Sequence, residues 1–325
     1  MGGQARAVLF AVVLLASGIP AAAQSDYPTR PVRIVVPFAP GGVVDVMARL
    51  LSQRLTGDLG KNFYLQNFGG AGGDIGTRNA AASANDGYTI LITSSSFVVN
   101  PSLHAKVPYD PIKDFEPISI AASSPDVLVV NPSVPAKNVH ELVDAILNNP
   151  DRYSFASAGI GTTPHLSGEL FRLSTGIKLV HVPFPGAGPA LEATAGGHTP
   201  IAFSSLPAAV PLVKGGSLRA LATTSPTRVD ALPDVPTMAE QGFPGQEAET
   251  LVFILAPAGT PAEIANTLSA EIRKIVGMPE VKAQFDALGF TPVGTTPEET
   301  SQRIKQEIAK WAKVITDANL RQTAD

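Results

Sequence analysis

Short β-prone runs alternate with amphipathic helical patterns along almost the whole chain, and this alternation limits the fold more than any other feature. Strand-like runs fall at 32–36, 63–66, 88–93, 127–131, 154–156, 179–182, 201–204 and 220–223, with a last one in "LVFILAP". Helical spacing occupies 43–57, 75–84, 139–148, 164–174, 189–195, 261–276 and 297–318, and places Leu166, Leu170 and Leu173 on one face. Such a pattern predicts an α/β protein with helices on both faces of mostly parallel sheets. Composition changes near 117–126 and 242–250 predict that the chain leaves a first lobe once and returns once. The expected lobes are 24–125 plus 248–325 and 126–247, with the final helices on the first. Ligands of open α/β sheets sit beyond the carboxyl ends of the strands, which places the site in the cleft.

The N-terminus has a different composition. "MGGQARAVLFAVVLLASGIPAAAQ" carries one Arg, an apolar run over 7–16 and Ala21-Ala22-Ala23. These are the n-region, h-region and cleavage site of a secretory signal, so residues 1–23 are read as a signal peptide cut after Ala23. The apolar run is shorter than the ~20 residues a membrane span needs. The mature chain is expected to be exported and soluble. There is no cysteine, which excludes disulfides, thiolate metal sites, thiol catalysis and a lipidated N-terminal cysteine. The net charge is −4. With no concentrated Lys/Arg face, nucleic acid is excluded as a partner.

Three stretches share one design. In "VVPFAPGGVVDVMARLL", 35–51, a strand ends in Pro40-Gly41-Gly42, and Val44, Met47, Leu51 and Leu55 then recur at helical spacing. Gly41 and Gly42 permit close backbone approach, and the helix start offers unpaired N–H groups and the positive end of its dipole to an anion. Asp45 is read either as a helix cap or as a cleft-facing group. "SAGIGTTPHLSGELF" repeats the device with Ser157, Ala158, Gly161, Thr162 and Thr163, then Pro164 at a first helical position. "PFPGAGPALEATAGG" is a third version. Between them "TSSSFVVNP" adds the hydroxyls of Ser94, Ser95 and Ser96 and the ring of Phe97. None of these loops carries Arg or Lys. Phosphate sites recruit such charges, so the class of anion indicated is a carboxylate.

Other chemistry finds little footing. "FGGAGGDIG" imitates a dinucleotide fingerprint, but Gly72 and Gly76 are separated by three residues where the pattern wants two. No cofactor is expected. There is no G-x-S-x-G or H-E-x-x-H. The five histidines never fall at i, i+4, so no metal is expected. His165, beside the second loop, is the one histidine followed as a ligand contact, with capping or packing as the alternative.

Taken in order, "YPTRPVRIVVPFAPGGVVDVMAR", "GGAGGDIG", "NDGYTIL", "NPSL", "GTTPHLSGELF", "HVPFPGAGPAL", "LRALATTSPTR", "LPDVPTMAEQGFPG" and "LAPAGTPAEI" resemble the periplasmic solute-binding proteins of tripartite tricarboxylate transporters, the TctC or Bug family. The resemblance covers nearly the whole mature chain. It implies a type II periplasmic-binding fold whose two lobes close about a hinge on a small organic carboxylate, without chemistry, for delivery to membrane permease subunits. It places the binding loops on Phe38, Ala39 and the residues to Asp45, on Ser94 to Phe97 and on Ser157 to His165. A monomer is expected. Three departures from the usual pattern stand out: Gln66-Asn67-Phe68-Gly69 lose an acid and an arginine, Leu251 replaces a tryptophan, and Phe203-Ser204-Ser205 lack an acid. Without that acid near Ser204, an ammonium-bearing ligand lacks a partner, which favours dicarboxylates or aromatic acids. Phe38, Phe97, Phe184 and Phe203 are candidate walls for an apolar ligand body, at most two of them at the site. The rival readings are a sensor subunit serving a signalling receptor and an exported enzyme using Asp45 or His165 as acid or base.

Overall fold

In the computed structural model, the structure describes Gly2, residues 27–317 and residues 319–321. The predicted signal peptide therefore lies outside the described residues, as does Ala318. One mixed sheet runs through the molecule in the order β2-β1-β3-β9-β4-β7-β5-β6. Its strands here are β1 (Val32–Val36), β2 (Phe63–Asn67), β3 (Thr89–Thr93), β4 (Phe115–Val130), β5 (Ser154–Ser157), β6 (Val180–Pro183), β7 (Ile201–Ser205) and β9 (Glu249–Pro257). Strands β8 (Arg219–Thr223) and β10 (Thr291–Pro292) both pair with β4.

The expectation of mostly parallel pairing is corrected at the centre. The outer pairs β1–β2, β1–β3, β5–β6 and β5–β7 are parallel. Where β4 meets β7, β8, β9 and β10, and where β3 meets β9, pairing is antiparallel. The cause is β4, which pairs with β9 from Phe115 to Pro125 and with β7 from Asp126 onward. Of the stretches expected to cross between lobes, 117–126 lies wholly within β4, and 242–250 is loop up to Glu249, where β9 begins. Pro117 and Pro125 argue against a central strand in sequence terms. Register shifts between Pro117 and Ser119 and between Ile120 and Ala122 accommodate the irregular segment.

Side chains alternate across the sheet as strand geometry requires. Val32, Ile34 and Val36 pack on α1 (Val43–Leu59) through Val44, Met47, Leu51 and Leu55, and on α8 (Ala262–Gly277) through Leu268 and Ile272. Val35 and Leu91 face the opposite way, toward α3 (Ser96–Leu103) and toward Trp311 and Ile315 of α10 (Pro297–Asp317). In the other half, Phe155, Phe171 and Phe203 pack with α4 (Val139–Asn148), while Val127, Ala156 and Ala202 pack with α6 (Ala187–Ala195) and α7 (Leu206–Lys214). Helix α5 (Thr163–Thr175) buries Leu166 and Phe171 but leaves Leu173 exposed, correcting the predicted leucine face. α2 (Asp74–Ala81) and α9 (Pro279–Leu288) complete the helices used below.

Candidate functional site

Helix starts converge on one small cleft. Gly42, Val43 and Val44 come from the start of α1, Thr162, Thr163 and Pro164 from α5, Ala187 from α6, and Ser205 is the residue preceding α7. Phe38, Ser94, Ala158 and Thr250 close the remaining walls of a tight space of about 20 Å³, room for about one water. The first N–H groups of each helix have no intrahelical acceptor, and each dipole puts its positive end here. A larger open groove of about 600 Å³ lies near Arg228, Glu249 and Phe290; it borders the C-terminal end of α9 and no helix start.

The hydroxyls of the cleft are its most informative feature. Thr163 Oγ1, Ser205 Oγ and Thr250 Oγ1 are buried with no hydrogen-bond partner among the described residues. A buried hydroxyl without a partner costs about 1–3 kcal/mol, so three around one space mark a place prepared for a polar guest. Ser94 Oγ bonds Ser96 Oγ at 3.0 Å. No Arg or Lys lines the space.

The loops are held by groups expected to touch ligand. Asp45 accepts the Gly41 N–H at 3.0 Å, Arg49 through both carboxylate oxygens at 2.9 and 3.1 Å, and the Asn67 amide at 3.0 Å. Burial acts to raise its pKa, but Arg49, Gly41 and Asn67 outweigh it and hold it below the usual carboxylate range. Its oxygens are thus committed to shaping the glycine turn. His165 Nδ1 accepts the Gly161 N–H at 3.3 Å, and burial together with His104 lowers its pKa to about 4, so the ring is neutral. Thr162 caps α5 by accepting from the His165 N–H. Ser157 Oγ lies 2.7 Å from His181 Nε2, the closest approach to a nucleophile–base pair. Ser157 is wholly buried and also bonds Gly159, and burial lowers the His181 pKa to about 3. Glu169, the nearby carboxylate, is bound to Arg172. The pair braces the turn before α5.

Of the residues singled out in the sequence, Phe38, Gly42, Ser94, Ala158, Thr162 and Thr163 share the cleft. Ala39, Gly41, Asp45, Ser157, Gly161 and His165 build the turns behind it; Ala39 N–H donates to Pro185 O at 3.0 Å, tying the first loop to the third. Ser95 accepts the Leu251 N–H at 2.8 Å, and Ser96 begins α3. Phe97 stacks on Tyr109 in one core, and Phe203 packs edge-on to Phe155 in another, both fully buried. Ser204 has only a 3.5 Å contact to the Ser205 carbonyl. Phe184 packs half-buried near Ala187. Val43, Val44, Pro164, Ala187, Ser205 and Thr250 line the cleft and had not been singled out. The first four were within reach, since the motifs place them at helix starts. Thr250 depends on the β4–β9 pairing and has no local signal.

Residues 47–320 match the model of the tripartite tricarboxylate transporter family receptor, TctC. A structure titled periplasmic binding protein BugD is 33% identical, with a TM-score of 0.88 over 91% of this chain and 100% of that one. R. palustris Rpa4515 with adipate is 34% identical, with a TM-score of 0.87 over 90% and 98% of the two chains. MatC (Rpa3494) from Rhodopseudomonas palustris with bound malate is 30% identical, with a TM-score of 0.84 over 89% and 100%.

Proposed function

Because the chain belongs to the TctC receptor family and shares the fold of its periplasmic binding proteins, we propose that it captures a small organic carboxylate between two lobes and presents it to membrane permease subunits. The lobes of this reading are residues 24–125 plus 248–325 and residues 126–247, hinged where β4 changes partners at Asp126. The single observation that carries the reading is the set of unpartnered hydroxyls, Thr163, Ser205 and Thr250, in a cleft ringed by helix starts and free of basic side chains. Dipoles and neutral donors hold a carboxylate without the fixed charge that a phosphate site recruits. Adipate and malate in the two structural neighbours support the ligand class. The site of this proposal comprises Phe38, Gly42, Ser94, Ala158, Thr162 and Thr163 with Val43, Val44, Ala187, Ser205 and Thr250. The protein acts by binding and release, in the periplasm, after its signal is removed.

The test is a thermal-shift screen of residues 24–325 against aliphatic diacids, hydroxy diacids, aromatic acids and amino acids. A ligand that binds only the folded form raises its stability by mass action, about 2.7 kcal/mol at one hundred times Kd. A rise in Tm with a carboxylate supports the reading, and a flat response across the panel contradicts it.

A further inference from the structure

Asp126 sits beneath the cleft. It lies wholly buried on β4, opposite Ser205 in the antiparallel register with β7. The Ser167 hydroxyl donates to its Oδ2 at 2.8 Å. Its Oδ1 has no partner among the described residues, and neither do the hydroxyls of Ser205 and Thr250, which line the cleft above it. Ser167 stands one turn along α5 from Thr163, another unpartnered cleft hydroxyl. A buried ionised carboxylate needs a cation or several donors; this one has the Ser167 hydroxyl, with that of Thr250 nearby, and no cation among the described residues.

The charges on the surrounding elements are engaged elsewhere. On α5, Glu169 pairs with Arg172, and His165 is neutral. On β9, Glu249 pairs with Arg303 of α10. On β8, Arg219 donates to the carbonyls of Val134 and Ala136. β7 carries no titratable side chain. Burial, opposed by Ser167 and the nearby Thr250 hydroxyl, raises the Asp126 pKa to about 7.

Resting on the carboxylate-binding reading above, we propose that Asp126 is the positioning residue of the site: holding a proton on Oδ1, it turns toward the Thr250 hydroxyl, whose own O–H then points into the cleft, and it couples capture of a carboxylate to uptake of one proton. The balance is simple. The free protein above neutral pH holds Asp126 as carboxylate; the incoming anion, a like charge close by, favours the acid form; one proton passes from the buffer to Oδ1, and none leaves the ligand. Affinity therefore falls as pH rises past the Asp126 pKa, by up to about tenfold per pH unit.

Titration calorimetry with adipate and with malate between pH 6 and pH 8.5, where both are predominantly dianionic, tests this. The wild type is expected to bind at least tenfold more weakly at pH 8.5 than at pH 6. In Asp126→Asn, whose amide stays neutral, Kd values at the two pH values should agree within about twofold. A second measurement needs no variant. Wild-type binding enthalpy in two buffers of different ionisation enthalpy should report net proton uptake at pH 8 and close to none at pH 6. Binding of either acid with pH-independent affinity and no proton uptake would overturn the role of Asp126 while leaving the carboxylate reading intact. Failure of both acids and of the wider panel to bind at any pH would overturn both.

Discussion

Gly72, in the loop between β2 and α2, lies directly beneath the carbonyl of Ile160, in the turn before α5. A Cβ on Gly72 would sit 2.0 Å from the Ile160 oxygen, and its φ of +59° already favours glycine. The loop that imitates a dinucleotide fingerprint thus serves a close backbone contact between the two halves of the sheet. Gly72→Ala cannot be accommodated by a rotamer change, because the obstacle is backbone. We expect the variant to fold but to close incompletely, with at least a tenfold loss of ligand affinity. Small-angle scattering with and without ligand should show the wild type contracting and the variant remaining expanded.

The cleft hydroxyls should trade stability for binding. Thr163→Val, Ser205→Ala and Thr250→Val each remove a buried polar atom that has no partner among the described residues. Each variant should have an unliganded Tm equal to or above that of the wild type. Each should also bind its carboxylate more weakly, by about 10- to 100-fold, the scale of a hydrogen bond to a charged group. Paired melting and titration of the three variants checks both signs together.

Asp45 predicts a pH window. Its folded pKa is held below the ordinary value, so its contribution is present above the ordinary carboxylate range and lost as pH falls through the folded value. Asp45→Ala should cost about 1–2 kcal/mol at pH 7, a modest figure because Arg49 is mostly exposed. Denaturant melts of both proteins should converge once the pH drops below the carboxylate range. A gap that persisted at pH 2 would assign the effect to packing.

Much of this was legible in the sequence. Strands β1, β2 and β8 and helices α1 and α4 follow from period-2 and period-3.6 patterns bounded by Gly, Pro or Asn. The helix starts at Gly42, Thr162 and Ala187 are visible as glycine–proline turns before apolar spacing. What was hidden depended on long-range pairing. The end of β4 was read at 127–131, but its first part contains Pro117 and Pro125, and only the bulged pairing with β9 reveals that part. Helix α7 contains Pro207 and Pro211, and α3 contains Pro101, so local rules end them early. Phe97 and Phe203 have the chemistry of ligand walls, but strand and helix parity turns both into cores. Asp126 follows a proline in an apolar strand, and nothing local marks it as buried without a cation.

Ligand preference follows from the cleft lining, which carries no carboxylate to meet an ammonium group, and from Asp45, whose oxygens are occupied. Aliphatic diacids or aromatic acids should bind more tightly than aspartate or glutamate. Competition titrations of each amino acid against its desamino analogue decide the point. Tighter binding of the amino acid would mean that a buried carboxylate serves as its counter-ion.

The central claim is that the cleft binds a carboxylate and leaves it unchanged. Its most direct measurement is titration calorimetry of residues 24–325 with adipate and malate, followed by mass spectrometry of the ligand recovered after long incubation. The account predicts saturable one-to-one binding of at least one of them, abolished by combining Thr163→Val with Thr250→Val, and recovery of the same acid at unchanged mass. Absence of binding by both acids and by the wider panel of carboxylates, or recovery of a converted product, would contradict it.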